Sequence, residues 1–310
     1  MGATEFMKNP FMHTTPLFPS SFEQEHAALK AQLTLSLHQQ DNDDACQLFR
    51  NIIKHYHAHS RRPFPWRDHI NPYHVVVSEI MLQQTQTYRV EPKFTAFVAT
   101  FPDFATLAQA PTHEVIRMWK GLGYNRRALA LQKIAQAVVS QHDGILPNQP
   151  AILETFPGIG KATARSITTF AFNKPTVFIE TNIRSVFIYF FFKHTLDITD
   201  KALEPLIEKT VDHDNPREWY YALMDYGVML KKTVGNLCRL SAHYSKQSKF
   251  EGSDRQVRGM ILQVLLDQPG IGRDGLVLAL AKEEERAIKI LQDLIKEGFI
   301  RQQANCFWLK

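Results

Sequence analysis

The sequence predicts an all-α protein with a small winged-helix-like unit at its C-terminal end, and three observations carry that expectation. Between residues 44 and 245 apolar residues recur at helical spacing in successive segments, and strand-like alternation is almost absent. Pro63, Pro65, Pro72, Pro92, Pro102, Pro111, Pro147, Pro157 and Pro175 fall between these segments or at their starts, where a missing backbone donor is tolerated. Beyond a polar stretch, Ser241–Ser253, the pattern changes to three short helices and a tail with apolar residues at both ends around a polar turn.

Taken in order, residues 1–43 form an N-terminal extension rich in Pro, His, Gln and Asn, with one helix-like patch at Phe22–Leu37 and no chemistry assigned to it. The helical domain, 44–245, opens with Ala45–His59 and continues through Pro72–Arg89, Pro92–Thr100, Asp103–Ala110 and Thr112–Lys120. Arg126–Gln141, Ala151–Thr155, Lys161–Phe172 and Ile183–Lys193 follow. After the linker, the unit at 252–310 places helices at Arg255–Asp267, Arg273–Lys282 and Glu284–Glu297 before Gly298 and the hairpin-like tail FIRQQANCFWLK. No internal repeat interrupts this plan.

Composition narrows the function classes. At 310 residues, 44% hydrophobic and 22% charged, the chain is too apolar to be disordered in the main and long enough for two domains. Cys46, Cys238 and Cys306 are odd in number and widely spaced, which offers neither a disulfide framework nor a cysteine-rich metal site. With no apolar run of the roughly eighteen residues a span needs, and no basic-then-apolar leader, the expectation is a cytoplasmic monomer with no membrane partner, nucleoid-associated if bacterial. A net charge of +5 and a pI near 9.0 lean towards a polyanionic partner.

The chemistry concentrates in two places. Phe156-Pro157-Gly158-Ile159-Gly160-Lys161-Ala162-Thr163 sets two glycines just before a helix start, where backbone amides can approach an anion without a Cβ in the way. Taken alone, this reads more readily as a tight inter-helix turn. Its spacing to Val177-Phe178-Ile179-Glu180-Thr181-Asn182 changes the balance, because Glu180 follows Gly160 by twenty positions across one helix and a Pro-containing turn.

Hairpin, helix, turn and then an acid opening a further helix resembles the helix-hairpin-helix DNA glycosylase superfamily. The stretches Arg62–Arg67 (RPFPWR), Asn71–Tyr73, Ser78–Gln86 (SEIMLQQTQ) and Gly121–Tyr124 are similar to MutY adenine glycosylases in particular. The resemblance runs from about Asn51 to Gly235 and implies the two-lobed, all-α glycosylase fold. It also implies an enzyme that flips a base out of double-stranded DNA and hydrolyses its N-glycosidic bond.

Residue roles follow from the matching positions. Glu79 lies within the apolar run Val75–Leu82, where an acid is costly unless paired or used. Alone it reads as a packing residue with a satisfied carboxylate; the resemblance makes it the general acid that protonates a departing adenine at N7. Glu180 stands where the family has its catalytic aspartate, to stabilise the oxocarbenium-like sugar, with one methylene more than that residue. Asn182 matches an asparagine that hydrogen-bonds this acid. Trp66, Arg67 and Asp225 match walls of the base pocket, Asp225 as an acceptor for an exocyclic amine. Gln83 and Gln84 match residues that wedge into the base stack, and Tyr124 and Arg126 fall where a minor-groove loop is expected. Gly158, Gly160, Lys161 and Thr163 complete the DNA-binding set at the hairpin, where a monovalent cation is also compatible.

Three departures from the family sharpen the expectation. Ala162 occupies the position of the lysine in relatives with lyase activity, and Lys161 is turned about 100° from it around the helix start, so a monofunctional glycosylase is expected. Lys231, Cys238, Ser241 and Gln247 stand at the spacings of the family's four iron–sulfur cysteines, which implies no cluster and no other cofactor. The roughly sixty residues from Glu251 are too few for the Nudix-like domain with which MutY proteins read 8-oxoguanine, which points to an adenine-type base carrying its own modification, such as N6-methyladenine. Two rivals remain: a mismatch uracil or thymine glycosylase, and a non-catalytic helix-hairpin-helix DNA-binding protein.

Overall fold

The computed structural model describes residues 20–38, 42–192, 195–280 and 284–310. Most of the remaining N-terminal extension, Lys193 in the expected helix Ile183–Lys193, and Lys282 and Glu283 near the second and third C-terminal helices lie outside the described residues. The chain divides into two compact units: residues up to Arg62, Thr181–Val211 and Glu218–Ala242 form the first, and Pro63–Glu180, Asp212–Arg217 and His243–Lys310 the second.

The first unit opens with α1 (Ser20–His38) and α2 (Asn42–Ser60), which pack on one another. Part of the N-terminal extension thus belongs to a core, with Leu33 and Ser36 buried and the His26 ring 2.9 Å from the Tyr226 hydroxyl. The second unit then supplies α3 (Pro65–Asp68), α4 (Pro72–Leu82), α5 (Thr87–Thr100), α6 (Phe104–Gln109), α7 (Thr112–Trp119), α8 (Arg126–Gln141), α9 (Pro150–Leu153) and α10 (Lys161–Phe172). The chain returns to the first unit for α11 (Thr181–Phe191), α12 (Asp200–Thr210), most of α13 (Pro216–Thr233) and a 3₁₀ turn at Leu237–Leu240. Phe49 of α2 gathers the rings of Phe187, Phe190, Phe191 and Trp219 at 5.0–5.9 Å, which makes an aromatic core for this unit.

The last segment of the second unit holds α14 (Asp254–Asp267), β1 (Ile271–Gly272), α15 (Arg273–Leu280), α16 (Glu284–Lys296), β2 (Ile300–Gln303) and β3 (Cys306–Leu309). The expected helices and hairpin are present, and β3 pairs antiparallel with both β2 and β1 in the order β1-β3-β2. The two-residue β1 carries too few side chains to leave an alternation in the sequence.

Two neighbouring helix boundaries, the end of Pro72–Arg89 and the start of Pro92–Thr100, differ from their expected places, and the difference bears on the site. The expected segment Pro72–Arg89 is broken after Leu82: Gln84 has φ +53°, and a new helix starts at Thr87 and runs through Pro92, which forgoes one backbone hydrogen bond. Among the described residues no helix is long and apolar enough to cross a membrane.

Candidate active site

α4 is an apolar helix with one acid in it. Asn71 caps its start by accepting from the Tyr73 N–H at 2.8 Å, and Val75, Val76, Val77, Ile80 and Met81 are all buried. Glu79 is mostly covered, and the hydroxyl of Ser166 on α10 bonds to its Oε2. Burial first, and then the charge of Glu180, push the Glu79 carboxyl above the ordinary carboxylate range; the Ser166 hydrogen bond and the positive charge of Arg67 act against that and are outweighed.

Glu180 arrives by the return of the chain along α10. That helix is preceded by Gly160 and followed by Asn173, whose φ of +52° turns the backbone round. The following stretch is then stitched to the helix: Thr169 Oγ1 donates to the Lys174 carbonyl at 2.9 Å, Thr176 Oγ1 to the Arg165 carbonyl at 3.0 Å, and Arg165 Nη1 to the Val177 carbonyl at 2.9 Å. Phe178 buries against Phe170, so the register of Glu180 is set two residues before it. Burial pushes the Glu180 carboxyl up as well. Two carboxyls that feel one another in such surroundings part with a first proton far more readily than a second, so between those steps the pair is one acid and one carboxylate.

The end of α4 is held by a residue that the sequence did not single out. Arg127 of α8 is buried, with its guanidinium between the rings of Trp119 and Tyr124, and it donates to the carbonyls of Ile80 at 3.0 Å, Met81 at 2.9 Å and Gln83 at 2.5 Å. It further donates to Thr85 Oγ1 and to the Gly123 carbonyl. A cation on the unsatisfied carbonyls of a helix C-terminus is favourable by charge as well as by hydrogen bonding. Burial lowers its proton affinity to about 10, which leaves it charged at neutral pH. The available signal was an arginine on the apolar face of Arg126–Gln141; Ser166 likewise sits on the buried face of its helix.

The hairpin candidates lie where the sequence put them. Gly158 has φ +79°, a conformation that strains any side chain, and a Cβ there would also come 3.1 Å from Ala130 Cβ. Gly160 precedes α10 with open space where a Cβ would be, and Lys161 and Ala162 are exposed beside it. Gln83 Nε2 donates to the Gly158 carbonyl at 3.1 Å and lies 3.5 Å from Thr163 Oγ1, which ties the end of α4 to the hairpin. Gln84 is exposed next to it.

Other expected residues have different surroundings. Trp66 is buried, stacked on Phe64 at 4.8 Å and edge-on to Phe94, and it reads here as core. Arg67 lies over Phe64 and contributes its charge near Glu79. The Tyr124 hydroxyl is bonded by Arg255 and Gln247, and Arg126 pairs with Glu297, so side chains of the C-terminal segment occupy the loop assigned to the minor groove. In the first unit Asp225 does not wait with free acceptors: Arg62 donates to it through its backbone N–H at 3.1 Å and its Nε at 2.6 Å, as a buried carboxylate requires. Asn182, second in α11, presses its backbone against Gly227.

The family's iron–sulfur positions do not fit a cluster chemically. Lys231, Ser241 and Gln247 bring no thiolate, and the buried Cys238 Sγ lies 3.1 Å from both the Thr181 carbonyl and Ser185 Oγ. Among the described residues no three His, Cys, Asp or Glu gather as for a metal.

Residues 77–212 match the model of the HhH-GPD superfamily base excision DNA repair proteins. An adenine DNA glycosylase of Mycolicibacterium smegmatis is 31% identical over 276 residues, which cover 81% of this chain and 92% of that protein. An adenine DNA glycosylase of Buchnera aphidicola is 36% identical over 201 residues, 63% of this chain, which spans only 56% of that relative. Among solved structures, a thermostable thymine-DNA glycosylase superposes with a TM-score of 0.54 at 25% identity, covering 64% of this chain and 96% of its own. An endonuclease III in a non-covalent DNA complex shares the fold at 0.50 and 17% identity, over 58% of this chain and 85% of that one.

Proposed function

Because the chain belongs to the HhH-GPD superfamily of base excision DNA repair proteins, with adenine DNA glycosylases as its relatives, we propose that it is a monofunctional DNA glycosylase that excises an adenine-type base from duplex DNA. The observation that carries the reading is Glu79, an acid set in the apolar helix α4 and bonded there by the buried Ser166 hydroxyl, with Glu180 as the second carboxyl whose charge acts on it.

The pair divides the work of cleaving a purine glycosidic bond. Glu79, raised by burial and by its neighbour, keeps the shared proton and delivers it to N7 as the C1′–N9 bond breaks and its electron pair passes to the base. Glu180, as the carboxylate, faces the cation that develops on the sugar and stabilises it electrostatically. Water then adds at C1′, and the proton it sheds restores Glu79. The base leaves the stack into the site while Gln83 and Gln84 fill the vacated space, and the open amides at Gly160 with exposed Lys161 take the backbone phosphate. With Ala162 in place of a lysine, no Schiff base forms and the strand is left uncut. No metal or cluster enters the scheme.

Single-turnover assays on a duplex panel test this reading. The panel holds adenine opposite 8-oxoguanine, adenine opposite guanine, N6-methyladenine, and uracil or thymine opposite guanine. Excision of an adenine form, with Glu79→Gln inert and still binding DNA, is the expected result. Preference for a pyrimidine would move the enzyme towards the activity of its thymine-excising structural relative. Inertness on every duplex with binding intact would make it a binding module.

A further inference from the structure

Ser166 is fully buried at the sixth position of α10, between two oxygen atoms. Its Oγ lies 3.0 Å from the Thr163 carbonyl one turn back and in hydrogen-bond contact with Oε2 of Glu79. A serine hydroxyl has one hydrogen to give and two lone pairs to receive. With Glu79 ionised, both neighbours are acceptors and one goes unserved. With Glu79 protonated the count closes: the carboxyl O–H donates to Ser166 Oγ, and the Ser166 hydrogen goes to the Thr163 carbonyl. That carbonyl also has its regular α-helical partner, the N–H four residues on, so it can spare the serine.

We propose that Ser166 is the positioning residue of the general acid: its hydroxyl accepts from Glu79 while the acid holds its proton, and swings to donate to the carboxylate once the proton has gone to the base. This rests on the reading of Glu79 as the acid. Rotation about the Glu79 Cγ–Cδ bond carries the proton to the base, and Ser166 then donates to the oxygen left facing it. The Ser166 hydrogen changes direction and is not transferred. Arg67 and Glu180, the charged groups whose fields act on Glu79, keep their charges through the step, so Ser166 is the uncharged partner that answers the change of charge. Alanine would leave the carboxylate without this donor in a buried place, where a bond to a charged acceptor counts most.

The test is Ser166→Ala, with Ser166→Cys as a graded second variant, read in two independent ways. Infrared difference titration, with Glu79→Gln as the subtraction, follows the Glu79 carboxyl directly and needs no activity. Its midpoint is expected to rise by about one pH unit in the alanine variant, a tenfold change in proton affinity. The cysteine variant, a weak donor, should fall between. Single-turnover excision should show the alkaline limb moving up by the same amount while the plateau falls about tenfold, with DNA affinity within about twofold of wild type. A role in packing alone would lower the plateau and leave the midpoint still. An unmoved infrared midpoint in Ser166→Ala overturns the proposal. A shifted midpoint in a protein inert on every duplex leaves Ser166 tied to Glu79 and removes the glycosylase reading instead.

Discussion

Replacing Arg127 by methionine asks whether one guanidinium holds the end of the helix that carries Glu79. Arg127 serves the carbonyls of Ile80, Met81, Gln83 and Gly123 and the Thr85 hydroxyl, from a position that is 9% exposed. Leaving a buried acceptor unsatisfied costs about 1–3 kcal/mol. Water can reach Gln83 and Gly123, which are half-buried, but not Ile80 or Met81, so two carbonyls bear that cost in full. Loss of a cation from a helix C-terminus adds about 1 kcal/mol, and methionine recovers part of the packing against Trp119. The sum is about 4 kcal/mol, well beyond the usual effect of a single substitution. Arg127→Lys keeps the charge but has only three hydrogens on one nitrogen, and it should cost about half as much. Urea denaturation of the three proteins, followed by far-UV circular dichroism, measures this through the midpoint at constant slope. Below the transition, excision by the methionine variant should also fall, because Gln84 no longer has a held turn in which to keep its positive φ. A methionine variant within about 1 kcal/mol of wild type would show that Arg127 does not hold the end of α4.

Further outcomes follow from the same geometry. Gly227→Ala would bring a Cβ to 2.6 Å from the Asn182 carbonyl oxygen, a backbone clash at the start of α11 that should destabilise the protein by about 2–4 kcal/mol in a thermal melt and slow excision below it. Burial pushes the Glu297 carboxyl up, but hydrogen bonds from Arg126 and Arg258 outweigh it and hold it at about 2. Its stabilisation is therefore complete above the unfolded value and lost as pH falls towards 2, and Glu297→Gln should cost about 1–2 kcal/mol near neutrality and little in strong acid, as read from urea midpoints across pH. Glu79 has the opposite sign: its raised carboxyl makes burial more costly as pH climbs above the ordinary carboxylate range. The melting temperature of Glu79→Gln should therefore gain on wild type between about pH 5 and about pH 9. Lys161→Ala should weaken DNA binding without regard to sequence and lower the slope of log affinity against log salt by about one, in fluorescence anisotropy titrations.

The helical plan and the hairpin are legible in the sequence alone, while the two acids are picked out by its resemblance to the glycosylase family. The plan and the hairpin are written in local signals: an apolar period of 3.6, prolines at helix starts and a glycine that takes a positive φ. Such signals act over one or two turns of chain, and the backbone obeys them wherever the segment ends up. The tertiary structure decided which partners those residues meet. Arg127 caps a helix more than forty positions upstream, and Ser166 meets Glu79 across 87 positions, while neither stands out from its neighbours in the chain. Asp225 is given to Arg62 and Tyr124 to Arg255 for the same reason, since a buried carboxylate or hydroxyl takes the nearest donor that packing supplies. The raised proton affinity of the Glu79–Glu180 pair belongs to this second class: it exists because the return of the chain along α10 places two carboxyls in one desolvated setting, and no spacing in the sequence encodes the loss of water that produces it.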